Sequence, residues 1–189
     1  MTTPARSRGS GSLVPSGLAQ VGIAAAALAS TACGGTPKTP QVVPQAANAH
    51  LIDSQGRETG TASVLLSKGG GLLVLKLWGV APGVHGLHLH TTGMCDPPGF
   101  LSADAHYNPQ KRQHGSRNPQ GPHAGDLPNV VARGDSTVDT TLAIPADLVR
   151  AIGPGAAAKA LVVHAGPEDL KTDPSGNSGP RIACGVLQR

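Results

Sequence analysis

Residues 59–90, TGTASVLLSKGGGLLVLKLWGVAPGVHGLHLH, decide the fold. Three apolar runs of strand length, 59–67, 72–78 and 84–90, are separated by Gly69-Gly70-Gly71 and by Pro82-Gly83. A glycine triplet between two such runs is what a hairpin connection requires, so antiparallel pairing follows. Further runs of the same kind occur at 47–53, 137–144, 160–164 and 182–187. The pattern predicts an all-β domain, and the one helix candidate, 145–152, reads as a short loop feature at best. Residues 91–129 break the rhythm. They are polar and rich in Gly, Pro and His, and an ordered loop of that length inside a compact domain is usually functional.

Composition agrees. At 189 residues the chain suits one domain with a real core rather than two. Aromatics are only 2% of residues, so the core must be built from Val, Leu, Ile and Ala, while 26 Gly and 17 Pro imply many turns. The formal charge is +4, but the first 32 residues hold Arg6 and Arg8 and no acid, which leaves 13 bases against 11 acids in the rest. So small an excess, with no basic run and one residue each of Phe, Tyr and Trp, gives nucleic-acid binding no support.

The N-terminus reads as an export signal over residues 1–32. Arg6 and Arg8 precede an apolar stretch at 18–29, followed by Ser30, Thr31 and Ala32 before Cys33. The apolar stretch falls short of the roughly 20 residues that a spanning helix needs. Small residues ending at a cysteine resemble a bacterial lipoprotein signal, in which Cys33 becomes the lipidated first residue and attaches the protein to a membrane. The alternative is ordinary cleavage after Ala32, leaving Cys33 as a spare thiol. Residues 33–46 read as a flexible Pro/Gly-rich tether and 47–189 as the folded domain.

The chemistry lies between His88 and Arg181. In Leu87-His88-Leu89-His90 the two histidines are two apart on a strand and project from one face, so both can reach one metal. His106, His114, His123 and Asp126 follow at separations of 8, 9 and 3 residues. Three imidazoles and a carboxylate from one loop suit a closed tetrahedral zinc site.

Gly86-Leu87-His88-Leu89-His90, Ala105-His106-Tyr107-Asn108-Pro109, Gln113-His114-Gly115, His123-Ala124-Gly125-Asp126-Leu127, Leu161-Val162-Val163-His164 and Gly179-Pro180-Arg181-Ile182-Ala183-Cys184-Gly185 occur in this order. From residue 47 to the C-terminus the chain thereby resembles the copper/zinc superoxide dismutases of the bacterial exported type. The resemblance implies one Cu and one Zn per subunit. His88, His90, His106 and His164 would be copper ligands; His106, His114, His123 and Asp126 would be zinc ligands, with His106 bridging the metals and taking part in proton delivery. It implies that Arg181 guides superoxide, a small anionic substrate, in a family that is a standing example of electrostatically steered catalysis. It further implies a Cys95–Cys184 disulfide, which export would favour. In the family an acid beyond the last histidine orients one copper and one zinc ligand; here Glu168 and Asp169 both qualify. His50 and His85 match no family ligand and read as ordinary polar residues.

The fold so implied is an eight-stranded antiparallel Greek-key β-barrel or sandwich, immunoglobulin-like, with long metal-binding and electrostatic loops. The expected localisation is the periplasm or cell envelope, as monomer or homodimer. Two departures stand out: the 165–180 segment is shorter than in eukaryotic members, and Pro174 stands where many of those carry a lysine, which predicts weaker salt dependence. The alternatives are a copper- or zinc-binding protein without turnover and a purely structural sandwich. The first would need a lost copper ligand, a lost arginine or a blocked channel, none of which the sequence shows, and the complete set of metal-binding side chains argues against the second.

Overall fold

A computed structural model describes residues 44–189. The proposed signal segment and Cys33 lie outside the described residues, as does most of the tether. Eight strands form one antiparallel ladder: β1 (Gln45–Asp53), β2 (Glu58–Ser67), β3 (Gly70–Trp78), β4 (Gly83–His90), β5 (Asp126–Ala132), β6 (Thr137–Pro145), β7 (Lys159–His164) and β8 (Arg181–Leu187). Their order is β5-β4-β7-β8-β1-β2-β3-β6. The end strands β5 and β6 come together through the tight turn in which Ser136 N–H donates to the Arg133 carbonyl (3.0 Å), so the sheet nearly closes into a Greek-key barrel.

Seven of these strands follow the apolar runs of the sequence, the first beginning two residues earlier than expected. β5 does not. It lies at the end of what reads as one polar loop, and Pro128 and Asn129 interrupt its apolar residues. The 145–152 segment is more than a loop feature, since Ala146–Ile152 (α1) form an α-helix that buries Leu148 and Ile152.

Alternation fixes the two faces. On β3, Leu73, Leu75 and Leu77 point inward between more exposed neighbours, and Leu51, Val64, Leu87, Leu89, Leu161 and Val163 complete an aliphatic core. Full burial of each such side chain contributes roughly 1.5–3 kcal/mol. β4 and β7 are buried on both faces. Leu87, Leu89, Leu161 and Val163 face the barrel interior, while His88, His90, Val162 and His164 alternate onto the outer face, beneath the two long connections 91–125 and 165–180.

Those connections are pinned to the sheet. Tyr107 N–H donates to the Leu89 carbonyl, Leu89 N–H to Gly125 and Gly125 N–H to Tyr107, all at 2.8 Å, so both arms of the first loop lie against β4. A second apolar cluster of Phe100, Ala103, Ala160, Val162 and Cys184 seals the loop onto the outer face. Cys95 and Cys184 form a disulfide within it, with Cα atoms 5.6 Å apart.

Candidate metal centre

The outer face gathers six histidines and two acids. His88, His90, His106 and His164 bring one donor atom each to within 4.8 Å of one another, and all four are buried. Three of these rings are held from behind. His88 Nε2 lies 2.9 Å from Glu168 Oε2, His90 Nδ1 lies 2.7 Å from the Asp104 carbonyl and His164 Nδ1 lies 2.9 Å from the Gly179 carbonyl. Each partner is an acceptor, so the bound nitrogen carries the proton and the other nitrogen presents a lone pair. Those other nitrogens, His88 Nδ1, His90 Nε2 and His164 Nε2, are buried without any hydrogen-bond partner among the described residues. Orphaned buried polar atoms each cost about 1–3 kcal/mol, and three of them converging is the arrangement of a cation site.

A second group adjoins the first. Nδ1 of His106, His114 and His123 lie 2.9, 3.0 and 3.2 Å from Asp126 Oδ1, and His106 Nδ1 and His123 Nδ1 are 3.4 Å apart. A tetrahedron with ligand distances of about 2.0–2.1 Å has edges of about 3.3 Å, so this N₃O set has the spacing that zinc demands. His88 also comes within 4.8 Å of His106, His114 and Asp126. Its Nε2, however, belongs to Glu168, which leaves its free nitrogen to the first group. His106 is common to both groups, with Nδ1 turned to the second and Nε2 left for the first.

Local backbone makes the second group possible. Asp126 Oδ2 accepts from the amides of Gly115 and His123, both at 2.9 Å, so one carboxylate organises its own loop. Gly115 has φ +95° and its Cα faces the Leu170 carbonyl so closely that an added Cβ would lie 2.1 Å from it. Only glycine fits there.

Of the two candidate acids, Glu168 touches both groups. Its Oε2 is also 2.7 Å from His114 Nε2, a charge contact not aligned as a hydrogen bond. Asp169 is exposed and caps its own loop instead, accepting from the Lys171 and Thr172 amides and from Asn177.

In the metal-free protein these contacts set opposed ionisation states. Burial lowers His90 to about 2 and, against the pull of Asp126 and of the Gly179 carbonyl respectively, His106 and His164 to about 4. Burial acts on His114 too, but Asp126 and Glu168 together outweigh it and raise the ring to about 9. The same burial would raise Asp126, yet hydrogen bonds from His106, His114 and the Gly115 amide hold it far below the carboxylate range; Glu168 is lowered against its burial by His114 and His88.

The copper/zinc superoxide dismutase family model matches residues 58–187. The chain belongs to that family. Among the relatives of this superoxide dismutase family member, superoxide dismutase [Cu-Zn] 2 of Aquifex aeolicus (strain VF5) is 40% identical over 147 residues, covering 75% of this chain and 86% of that protein. The superoxide dismutase [Cu-Zn] of Caulobacter vibrioides is 38% identical, covering 75% and 85%. Among solved structures, a SOD-like protein from Bacillus subtilis has TM-score 0.70 at 32% identity, covering 76% of this chain and 99% of that one. Cu/Zn superoxide dismutase from Brucella abortus has TM-score 0.61 at 28% identity, covering 75% and 98%.

A cleft of about 1030 Å³ reaches this family member's metal centre, with His106, His123, His164, Pro174 and Arg181 in its wall. Arg181 Nη1 donates to the Phe100 carbonyl (2.6 Å) and Nη2 to the Asp104 carbonyl (2.8 Å), which fixes the guanidinium. Burial lowers its pKa and Asp104 opposes that shift. The Asp104 carbonyl thus holds both His90 and Arg181.

His85 is not the ordinary polar residue it seemed. It is 2% exposed and spans the carbonyls of Ala81 and His164, each 2.8 Å from a ring nitrogen. Strand period was the available signal, because 85, 87 and 89 share the buried face and a polar side chain there needs partners. His50 is exposed, 3.4 Å from Glu58. The Asp104 and Gly179 carbonyls were invisible to sequence reading because main-chain acceptors have no residue signature.

Proposed function

We propose that this protein is a superoxide dismutase, converting two superoxide anions and two protons into one dioxygen and one hydrogen peroxide. The reading is carried by three buried imidazole nitrogens, of His88, His90 and His164, that have no hydrogen-bond partner among the described residues, beside an N₃O group that shares His106 with their cluster. His88, His90, His106 and His164 would hold copper, and His106, His114, His123 and Asp126 would hold zinc. Bound copper supplies a one-electron couple that all-imidazole ligation keeps reachable in both states, and bound zinc supplies fixed positive charge.

The chain's own residues do the rest. Arg181 presents an immobilised cation in the cleft wall, which attracts and orients the small anion. His106, anchored at Nδ1 on the Asp126 side, is placed to carry a proton at Nε2 to the reduced product. Glu168 keeps His88 and His114 oriented through one oxygen.

The finer reading is an exported enzyme that protects the cell envelope from superoxide arising outside the cytoplasm. The Cys95–Cys184 disulfide suits an oxidising compartment, and the signal-like N-terminus supports export. A mature N-terminus at Cys33 on protein from its native cell would support lipid attachment, and an intact Met1 would overturn export.

The deciding experiment is superoxide turnover by pulse radiolysis on disulfide-oxidised protein loaded with copper and zinc, with metal content measured on the same sample. Near one copper and one zinc per chain with fast dismutation, lost in His106→Ala, is the expected result. Full occupancy without turnover would point to a copper-binding protein.

A further inference from the structure

β5 pairs with β4 in broken register. His85 lies opposite Val130 and Leu87 opposite Leu127, so two residues of β5, Pro128 and Asn129, face the single Gly86. This is a β-bulge, a device that bends a strand and re-aims a side chain, often beside a functional site. Pro128, which has no N–H to give to a ladder, suits that position. Gly86 N–H is released from β5 and donates instead to the Gly166 carbonyl (2.8 Å) in the 165–180 segment.

The re-aimed residue is Asn129. Its Nδ2 donates to the Glu168 carbonyl (3.0 Å), and its Oδ1 accepts from the Glu168 amide (3.0 Å). The backbone N–H can only meet the oxygen, so the orientation of the carboxamide is determined. One side chain thus holds both main-chain polar groups of one residue, as a neighbouring strand would. Glu168 is itself buried, and on the side where Asp126, Asn129 and Glu168 border a cavity of about 290 Å³ the Asn129 carboxamide is the polar contact that holds the Glu168 main chain.

We propose that Asn129 is a positioning residue for both metal sites, acting through Glu168, whose Oε2 reaches His88 on one side and His114 on the other. The inference rests on the reading of those histidines as metal ligands. Partners that orient a ligand typically alter metal affinity by about 10–100-fold, and Asn129, one bond further out, belongs at the lower end. Because the Glu168 carboxylate is shared, copper and zinc affinity should fall together.

The test is competition of Cu²⁺ and Zn²⁺ against chromophoric chelators, on disulfide-oxidised full-length protein, for wild type, Asn129→Ala, Asn129→Asp, Glu168→Ala and Asn129→Ala/Glu168→Ala. Asn129→Ala should weaken both metals roughly tenfold. Asn129→Asp, which keeps the acceptor and loses the donor, should weaken both as well, and it carries the test if the alanine variant does not fold. The double variant should bind no more weakly than Glu168→Ala, because Asn129 has nothing left to position. Unchanged affinities in both Asn129 variants, a loss confined to one metal, or a full additional loss in the double variant would overturn the proposal. A wild type that fails to take one copper and one zinc would overturn the metal-site reading instead.

Discussion

Arg181 and Asp104 set opposite signs on the same few ångströms of cleft. The guanidinium is anchored by two carbonyls, so on the proposed reading it would stay fixed as the anion approaches, whereas the exposed Asp104 carboxylate would repel that anion. Electrostatic steering changes encounter rates by about 10–10³-fold and is screened by salt. Arg181→Ala should therefore lower the second-order dismutation rate about tenfold and flatten its dependence on ionic strength, with copper and zinc content unchanged. Asp104→Asn should do the reverse, raising the rate about twofold at low salt, because its contacts to His90 and Arg181 are made by the main-chain carbonyl and survive the change. Both are read from pulse-radiolysis rates across a salt series. A slower Asp104→Asn enzyme with intact metals would refute this assignment of roles.

At the scale of elements, the 91–125 loop supplies nearly everything the outer face of β4, β7 and β8 lacks, and it is held there by few ties. The Cys95–Cys184 bridge closes 89 residues, which limits unfolded-chain entropy by an amount worth roughly 4–5 kcal/mol as an upper figure. It also keeps the segment carrying Phe100 and Asp104 against β8. Cys95→Ser/Cys184→Ser should lower stability in chemical denaturation by up to about that amount. The dismutation rate should fall too, since Arg181 loses its fixed carbonyls; an unchanged rate would separate the bridge from the cleft. Gly115 is the corresponding tie on the zinc-like side. Gly115→Ala adds a Cβ in a left-handed conformation against the Leu170 backbone, so the Gly115 amide must leave Asp126. Zinc affinity should drop at least tenfold in a chelator titration, the scale on which lost orienting contacts act. These elements were unequally legible. Alternating strands such as β3 announce themselves by period, and β4 shows its two histidines on one face for the same reason. β5 hid inside the polar loop because the bulge at Pro128 and Asn129 destroys its alternation.

For the whole molecule, the all-β class was readable from an aliphatic composition with glycine-rich turns, whereas the barrel and the metal centre were implied by the family resemblance that the ordered histidine motifs carry. What spacing left open was decided by the course of the loops: they turn Glu168 inward and Asp169 outward, and they bring carbonyls behind His90 and His164. The same burial that makes the centre legible couples it to global stability. In the metal-free protein His90, His106 and His164 resist protonation down to about 2, 4 and 4, whereas in the unfolded chain they take protons near 6.5. The unfolded state then binds more protons below pH 6.5, so stability is full above that value and falls as pH drops towards 4, by up to about 1.4 kcal/mol per pH unit for each ring. His114 has the opposite sign. Raised to about 9, it contributes stability that is complete below pH 6.5 and lost as pH rises through 9. Metal-free, disulfide-oxidised protein should accordingly be most stable near pH 6.5, with a steep acid limb from three rings and a shallow alkaline limb from one. Thermal melts from pH 4 to pH 9 check this directly. A flat profile between pH 6.5 and 4.5 would mean that the His90, His106 and His164 rings are open to solvent without metal, and that the metal builds the site instead of entering one already formed.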